Sequence, residues 1–288
     1  MKEKDGIFLI NKESGPTSRD IVNQIMKKFN IKKVGHAGTL DPFADGLLLI
    51  SINHATKITS YLENLNKTYL AKLSLGKQTA TGDLEGEVIL EKEVPSFLNA
   101  SFIKEVFTSF VGKQKQIPPM YSALKKDGKP LYKYARAGLE VERKAREIEV
   151  YSLLFLSYEN NVISFLATVS KGTYLRTLGE DIAVALKTCG HLSNLTRLKI
   201  GEFSLENAAS VSKISEEQLL SIKETLFFLP QIHIDEEEKN KVLNGVPLKL
   251  NSVEPLVLLL YENSALALYE KGLKEVYYAK RGLYRAEN

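Results

Sequence analysis

Gly35-His36-Ala37-Gly38-Thr39-Leu40-Asp41-Pro42-Phe43-Ala44-Asp45-Gly46 packs three glycines, a proline, a histidine and two carboxylates into twelve positions. Neither a helix nor a strand accepts that composition, so a rigid loop shaped by its glycines is expected. Pro42 narrows the backbone choices of Asp41, which is one way to fix a carboxylate in a cleft. A lone Asp-Pro more often only caps a turn, so the surroundings have to decide.

Ahead of the loop, Thr17-Ser18 head a segment in which Ile21, Val22, Ile25, Met26 and Phe29 recur at helical spacing, predicting a capped helix over 18–29. Behind it, 47–52 and 68–75 read as strands, with Asn66 supplying a turn between helix and strand. The polar, glycine-bounded stretch 76–86 leads to a return strand at 88–90. A helical pattern resumes over 102–111, and Pro118-Pro119 then forbids regular structure. Gly128-Lys129-Pro130 is a turn before a short helix over 131–137. Strands at 148–157 and 162–170 are joined around 159–161. Leu175, Leu178, Ile182, Ala185 and Leu186 trace one helix face. Beyond Pro230, short apolar stretches alternate with turns at Asn244-Gly245, Glu262-Asn263 and Lys271-Gly272, the texture of a small β-rich appendage.

The 288-residue chain is 44% hydrophobic and 26% charged, which excludes disorder, collagen and coiled coil. Its one cysteine, Cys189, reads as a buried residue near a helix end in a protein of a reducing compartment. The charged start Met1-Lys2-Glu3-Lys4-Asp5 runs into only a short apolar stretch at 7–10, so no signal peptide or membrane span is expected and a cytoplasmic location is. The net charge of +4 hides a local excess: segment 113–146 has ten basic and three acidic residues, a net +7, with Tyr121, Tyr132 and Tyr134 interleaved. Rings among cations suit stacked bases and neutralised phosphates, although charge runs usually mean only a solvated face. Lys27, Lys28, Lys32 and Lys33 form a second basic set just before the Asp41 loop.

Metal and nucleotide chemistry find little support. His36, His54, His191 and His233 never recur at ligand spacing, and neither Gly-x-Gly-x-x-Gly nor Gly-x-x-x-x-Gly-Lys-Ser/Thr occurs.

The Asp41 loop, with Lys12 and Gly15-Pro16-Thr17-Ser18 ahead and Ala55-Thr56-Lys57 behind, strongly resembles the TruB family of bacterial tRNA pseudouridine-55 synthases. So do Lys67-Thr68-Tyr69, Gly76-x-x-Thr79-x-Thr81-x-Asp83-x-x-Gly86 and the run from Pro118-Pro119-Met120-Tyr121-Ser122 to Ala123-Leu124-Lys125. Gly128-Lys129-Pro130-Leu131-Tyr132, Ser170-Lys171-Gly172-Thr173-Tyr174-Leu175-Arg176-Thr177 and Leu195-Thr196-Arg197-Leu198 complete the series in family order, over residues 7–210. Asn53 departs from it, standing where the family usually has glycine; asparagine is the best substitute at a positive φ, so the turn is expected to survive.

The resemblance implies an α+β fold: a catalytic domain over 1–229 with a central mixed, mainly antiparallel sheet flanked by helices and a basic RNA-gripping insertion near 113–146. A small β-rich domain over 230–288 would follow, expected to resemble a PUA-type RNA-binding module. It implies isomerisation of uridine 55 in the tRNA T loop, with no metal and no cofactor, since substrate and product contain the same atoms. Asp41 maps onto the nucleophilic aspartate, which attacks the nucleotide covalently or, in another reading of the family, stabilises the charge left when the glycosidic bond breaks; Arg176 maps onto the cation paired with it, and Tyr69 onto the tyrosine that stacks on the base and helps remove the C5 proton. Dehydration disfavours an ionised carboxylate and a fixed cation opposes that. His36 maps onto the histidine that holds neighbouring loop nucleotides. Lys12, Tyr174, Pro118, Tyr121, Lys125, Lys129 and Arg136 are the remaining candidates for binding RNA. The target base must leave its stack, at a cost of about a few kcal/mol, which favours a loop with displaceable bases. Expected partners are tRNA through its T stem-loop, no membrane and no obligatory protein, with the chain monomeric. Two other readings stay open: a tRNA-folding chaperone that needs no chemistry, and a guide-dependent synthase resembling dyskerin, against which the bacterial-type connection across 76–136 counts.

Overall fold

The computed structural model describes residues 4–284; Met1, Lys2 and Glu3 of the charged start and the last four residues of the C-terminal segment lie outside the described residues. Nine of the described strands form one sheet. Its main path runs Gly6–Lys12, Asp45–Ile52, Gly190–Ile200, Lys67–Leu75, Val162–Val169, Arg146–Glu159 and Gly112–Gln116. Val34–His36 adds to Asp45–Ile52, and Phe203–Ser204 adds to Gly190–Ile200. Neighbours on the path are antiparallel except at one seam. There Asp45–Ile52 and Gly190–Ile200 run parallel, paired at Thr196 with Asp45 and Arg197 with Gly46.

That short seam divides the sheet into two halves. In the first half, Ile7, Leu9, Leu47 and Leu49 enter one core while Phe8, Ile10, Leu48 and Ile50 enter another. A strand covered on both faces reads as a continuous apolar run, which is what 47–50 shows. Helix Ser18–Phe29 covers the second core with Ile21, Val22 and Ile25. Its start is the expected capping box: Thr17 Oγ1 accepts from the Asp20 amide at 3.1 Å, and the Asp20 carboxylate accepts from the Thr17 amide at 2.9 Å.

The second half is covered on one face by helices Ala100–Ser109 and Leu175–Ala185, which pack Ile103, Phe107, Leu178 and Ile182 against Leu73, Phe165 and Leu192. Phe107 meets Phe165 edge-on with centroids 5.5 Å apart. The hairpin of Arg146–Glu159 and Val162–Val169 turns through Asn160 and Asn161, both at positive φ. Strands Lys77–Thr79 and Val88–Glu91 form the anticipated outlying hairpin.

Two sequence expectations need correction. Gly35 and His36 belong to a short strand, so the loop proper begins at Ala37. Strand Gly190–Ile200 lies near the middle of the sheet and was not anticipated. Its pairing with Lys67–Leu75 shifts register at Leu192/Asn194 and Arg197/Lys199, and two irregularities in eleven residues erase a period of two. At Asn53, φ is +51°, the left-handed value expected where glycine is replaced.

A second sheet orders Gln231–His233, Leu256–Tyr261, Ser264–Lys271, Val276–Gly282 and Leu248–Lys249. It also carries a helix, Glu236–Leu243, capped by Asp235, where strands alone were expected. Leu258, Leu260, Leu268 and Leu283 share a core with Ile7, Leu47 and Ile58, so the two sheets are fused through common apolar packing. Lys57, of the Ala55-Thr56-Lys57 motif, donates to the Gly282 carbonyl at 2.7 Å across that junction. Cys189 is buried at the turn into Gly190–Ile200. Among the described residues no helix is long and apolar enough to cross a membrane.

Candidate active site

The Asp41 loop spans the seam between the half-sheets and is clamped from both sides. On one side stands the stretch from Lys12 to Ser18. Lys12 Nζ donates to the carbonyls of Glu13 (3.0 Å), Pro16 (2.9 Å) and Pro42 (3.3 Å). The Gly15 amide donates to the Pro42 carbonyl at 2.8 Å, and the Ser14 hydroxyl to the Phe43 carbonyl at 2.9 Å. The Ser18 hydroxyl accepts from the Leu40 amide at 2.9 Å and donates to the Leu40 carbonyl at 3.1 Å.

On the other side is Arg197, which is buried. Its Nε donates to the Leu47 carbonyl at 2.7 Å, and its two terminal nitrogens donate to the carbonyls of Thr39 (3.3 Å) and Gly38 (3.2 Å). Gly46 makes this approach possible. Its φ is +106°, and a Cβ there would lie 2.4 Å from the Arg197 carbonyl oxygen. Backbone on both sides of Asp41 is therefore fixed before any substrate arrives.

Arg176, on the first turn of helix Leu175–Ala185, sits behind the carboxylate. Its Nε donates to Asp41 Oδ2 at 2.8 Å and one terminal nitrogen to Asp41 Oδ1 at 3.3 Å, a forked pairing. The remaining N–H groups reach the carbonyls of Thr81 (2.6 Å) and Tyr121 (2.8 Å). A second carboxylate, Asp83, lies 3.7 Å from Nε on the far side. The Arg176 side chain is 4% exposed and that of Asp83 7%, whereas Asp41 is 32% exposed. One cation is thus held between two anions, and only the front carboxylate reaches open space. Asp83 is itself fixed: Thr81 Oγ1 donates to it at 2.5 Å and the Glu85 amide at 3.1 Å.

The open space is a cleft of about 770 Å³. Asp41, Tyr69 and Tyr174 line it together with Lys67, Ser122, Leu124, Arg146 and Arg197. Tyr69 projects from the centre of the sheet, its strand paired at Ala167 on one side and Arg197 on the other. Tyr174 is held by Gln116, whose amide oxygen accepts from the Tyr174 amide at 2.8 Å and whose nitrogen donates to its carbonyl at 3.1 Å. Burial raises the pKa of the Tyr174 phenol, keeping it neutral at ordinary pH. Lys67 donates to the carbonyls of Glu63 (2.5 Å) and Leu65 (2.6 Å), and burial, with Arg197 nearby, lowers its pKa to about 8.

The structure departs from several expectations for RNA-binding residues. Lys12 is fully buried and its ammonium is directed at three carbonyls, so it builds the loop instead of facing a ligand; burial lowers its pKa to about 8. His36 does not border the cleft; its Nδ1 is buried without a partner, and burial together with Arg197 lowers its pKa. Pro118 and Tyr121 do not border the cleft: Pro118 is buried and the Tyr121 carbonyl accepts from Arg176, while Ser122, Ala123 and Leu124 line the cleft there. Lys129 lies over the Tyr134 ring at 4.5 Å and Arg136 over Tyr132 at 5.5 Å, so these aromatics stack on cations of their own segment. Lys125 borders a separate cavity.

Four contributors were not anticipated in these roles: Asp83, Gln116, Lys67 and Arg197. A charged residue between Leu195 and Leu198, on what is now seen to be a strand, was the available signal for Arg197. Gln116, between Lys115 and Ile117, carried none. Among the described residues no group of three or more His, Cys, Asp or Glu has metal-ligating geometry.

The model of the TruB family pseudouridylate synthase N-terminal domain matches residues 26–175. A protein of Hydrogenovibrio crunogenus called tRNA pseudouridine synthase B is 43% identical over 261 residues, covering 90% of this chain and 86% of its own. Proteins of the same name from Oceanobacillus iheyensis and Geobacillus thermodenitrificans are 43% and 38% identical; they cover 92% and 93% of this chain and 92% and 95% of their own. Among solved structures, a chain of a Cbf5-Nop10-Gar1 complex has the same fold, with a TM-score of 0.73, 23% identity, and coverage of 97% of this chain and 85% of that one.

Proposed function

The chain belongs to the TruB family of pseudouridylate synthases, and from that premise we propose that it is a tRNA pseudouridine synthase acting on uridine 55 of the T loop. The observation that carries this reading is the Asp41 carboxylate, forked onto a buried Arg176 and facing an open cleft beside Tyr69. In the reaction the N1–C1′ bond breaks, the base turns, C5 joins C1′, the C5 proton leaves to solvent and N1 takes one up. No atom is gained or lost overall.

Asp41 serves as the nucleophile: a carboxylate oxygen bonds to C1′ as the N1–C1′ bond breaks, and that C1′–O bond breaks in turn as C5 joins C1′, which splits one difficult step into two. Arg176 pairs with both of its oxygens and, with both flanking backbone clamps, holds it against rotation, so little ordering remains to be done when the base arrives. The uridine enters flipped out of its stack, and Tyr69 supplies an aromatic surface for it. Lys67, Arg146 and Arg197 give the cleft the positive lining that a phosphodiester strand requires.

The test is release of tritium from T stem-loop RNA labelled at uridine C5, without guide RNA or protein partner. Wild type is expected to release label, and Asp41→Asn to slow release by at least about a thousandfold, the scale of losing a nucleophile. Release by Asp41→Asn at the wild-type rate would remove the assignment, and release by neither protein would favour the chaperone reading.

A further inference from the structure

Gln116 ends strand Gly112–Gln116 and pairs in the ladder with Arg146. Lys113 and Lys115 of the same strand face solvent, whereas Gln116 is buried, at 4% exposed. Its amide makes two hydrogen bonds, both to one residue: Oε1 accepts from the Tyr174 amide at 2.8 Å, and Nε2 donates to the Tyr174 carbonyl at 3.1 Å. The placing of oxygen and nitrogen is forced, because the reversed amide would set donor against donor and acceptor against acceptor. Bonds to the peptide groups on both sides of a single Cα fix the backbone of that residue.

Tyr174 is the N-cap of helix Leu175–Ala185, and its own side chain caps nothing. The chain just before it gives little support, since Gly172 has a φ of +79° and open space where a Cβ would lie. Gln116, 58 residues earlier, therefore supplies an acceptor for one of the amides that a helix start leaves unpaired. The turn held in this way carries two groups of the site. The Tyr174 ring lines the Asp41 cleft, and Arg176, two residues on, forks onto Asp41. Gln116 itself does not border the cleft.

We propose that Gln116 is a positioning residue for the reaction: by clamping Tyr174 it sets the first turn of helix Leu175–Ala185, and through that turn the fork of Arg176 on Asp41. The proposal rests on the pseudouridine synthase reading above and adds to it a residue that touches neither substrate nor reacting atoms. Loosening the clamp displaces the guanidinium, and a misplacement of about 1 Å that starts far from the chemistry can cost about a hundredfold in rate.

The experiment measures single-turnover tritium release from C5-labelled T stem-loop RNA at saturating protein, together with RNA affinity and the urea midpoint. Gln116→Met keeps the volume and removes both bonds. It is expected to bind RNA within about threefold of wild type and to release label about a hundredfold more slowly. Gln116→Glu keeps an acceptor for the Tyr174 amide, so a folded variant remains if Gln116→Met does not fold. It turns an oxygen toward the Tyr174 carbonyl, and release about tenfold slower is expected. A residue that only stabilised the fold would leave the folded variants at the wild-type rate. Action through Arg176 also requires coupling: in an Arg176→Lys background, the Gln116 variants are expected to slow release by less than about threefold more. Release within about threefold of wild type by the folded single variants, or losses that multiply in full in the double variants, overturns the proposal. Wild-type release accompanied by either result removes only the positioning role, and no release by wild type removes the synthase reading with it.

Discussion

Arg176 satisfies two oxygens of Asp41 and the carbonyls of Thr81 and Tyr121 from one planar group. Lysine retains the charge but offers three donors from a single atom, so it cannot reach all four acceptors. Arg176→Lys is expected to cost about 2–4 kcal/mol of stability, from buried acceptors left unpaired. It should also lower the single-turnover rate of tritium release by about a hundredfold or more while RNA still binds. Denaturant titration and a rapid-quench assay check the two halves. At this scale the pairing of Asp41 with Arg176 was legible through the family resemblance alone, since a lone Asp-Pro more often caps a turn and a helix arginine more often faces solvent. Lys12 was misread because spacing shows that a lysine is present but not which way its ammonium points. In the folded chain it points inward, at the nearby carbonyls of Glu13 and Pro16 and at that of Pro42, thirty residues further along the chain.

Elements meet closely at the seam, where Gly46 of Asp45–Ile52 lies against Arg197 of Gly190–Ile200. Gly46→Ala places a methyl group 2.4 Å from a backbone oxygen at a φ of +106°. The strands must part, taking with them the hydrogen bonds from Arg197 to Gly38, Thr39 and Leu47. The expected loss is at least about 2–3 kcal/mol, read from the urea midpoint. Activity should fall further than stability, because the Asp41 loop loses one of its two clamps. Helix Ser18–Phe29 could be read from its sequence because capping and apolar spacing are local. Gly190–Ile200 could not, since its bulges break the alternation and its partners are supplied by distant strands. The rings of Tyr132 and Tyr134 were legible as aromatic residues among cations, yet their nearest cations belong to the same segment.

Across the whole molecule, two buried ammonium groups tie stability to pH. Lys12 and Lys67 have folded pKa values near 8, below the ordinary 10.5, with burial the largest cause in both. Below about pH 8 they are charged in folded and unfolded chains alike, and the burial penalty is fully present. Between about 8 and 10.5 the unfolded chain binds more protons, so stability rises with pH. The urea midpoint is therefore expected to increase from pH 7.5 to 9.5, and a Lys12→Met, Lys67→Met double variant should lack that increase. The antiparallel plan with flanking helices could be anticipated from motif order. Fusion of the two sheets through Leu258, Leu268 and Ile7 could not, because it depends on which apolar faces remain uncovered after each sheet has formed. One practical consequence follows from Cys189, the chain's single cysteine, which is 3% exposed. With the native thiol shielded from reagents, a cysteine engineered anywhere on the surface would be the sole site taking up a fluorophore or spin label, so the approach of an RNA strand to the basic insertion can be followed in real time on an otherwise unmodified background.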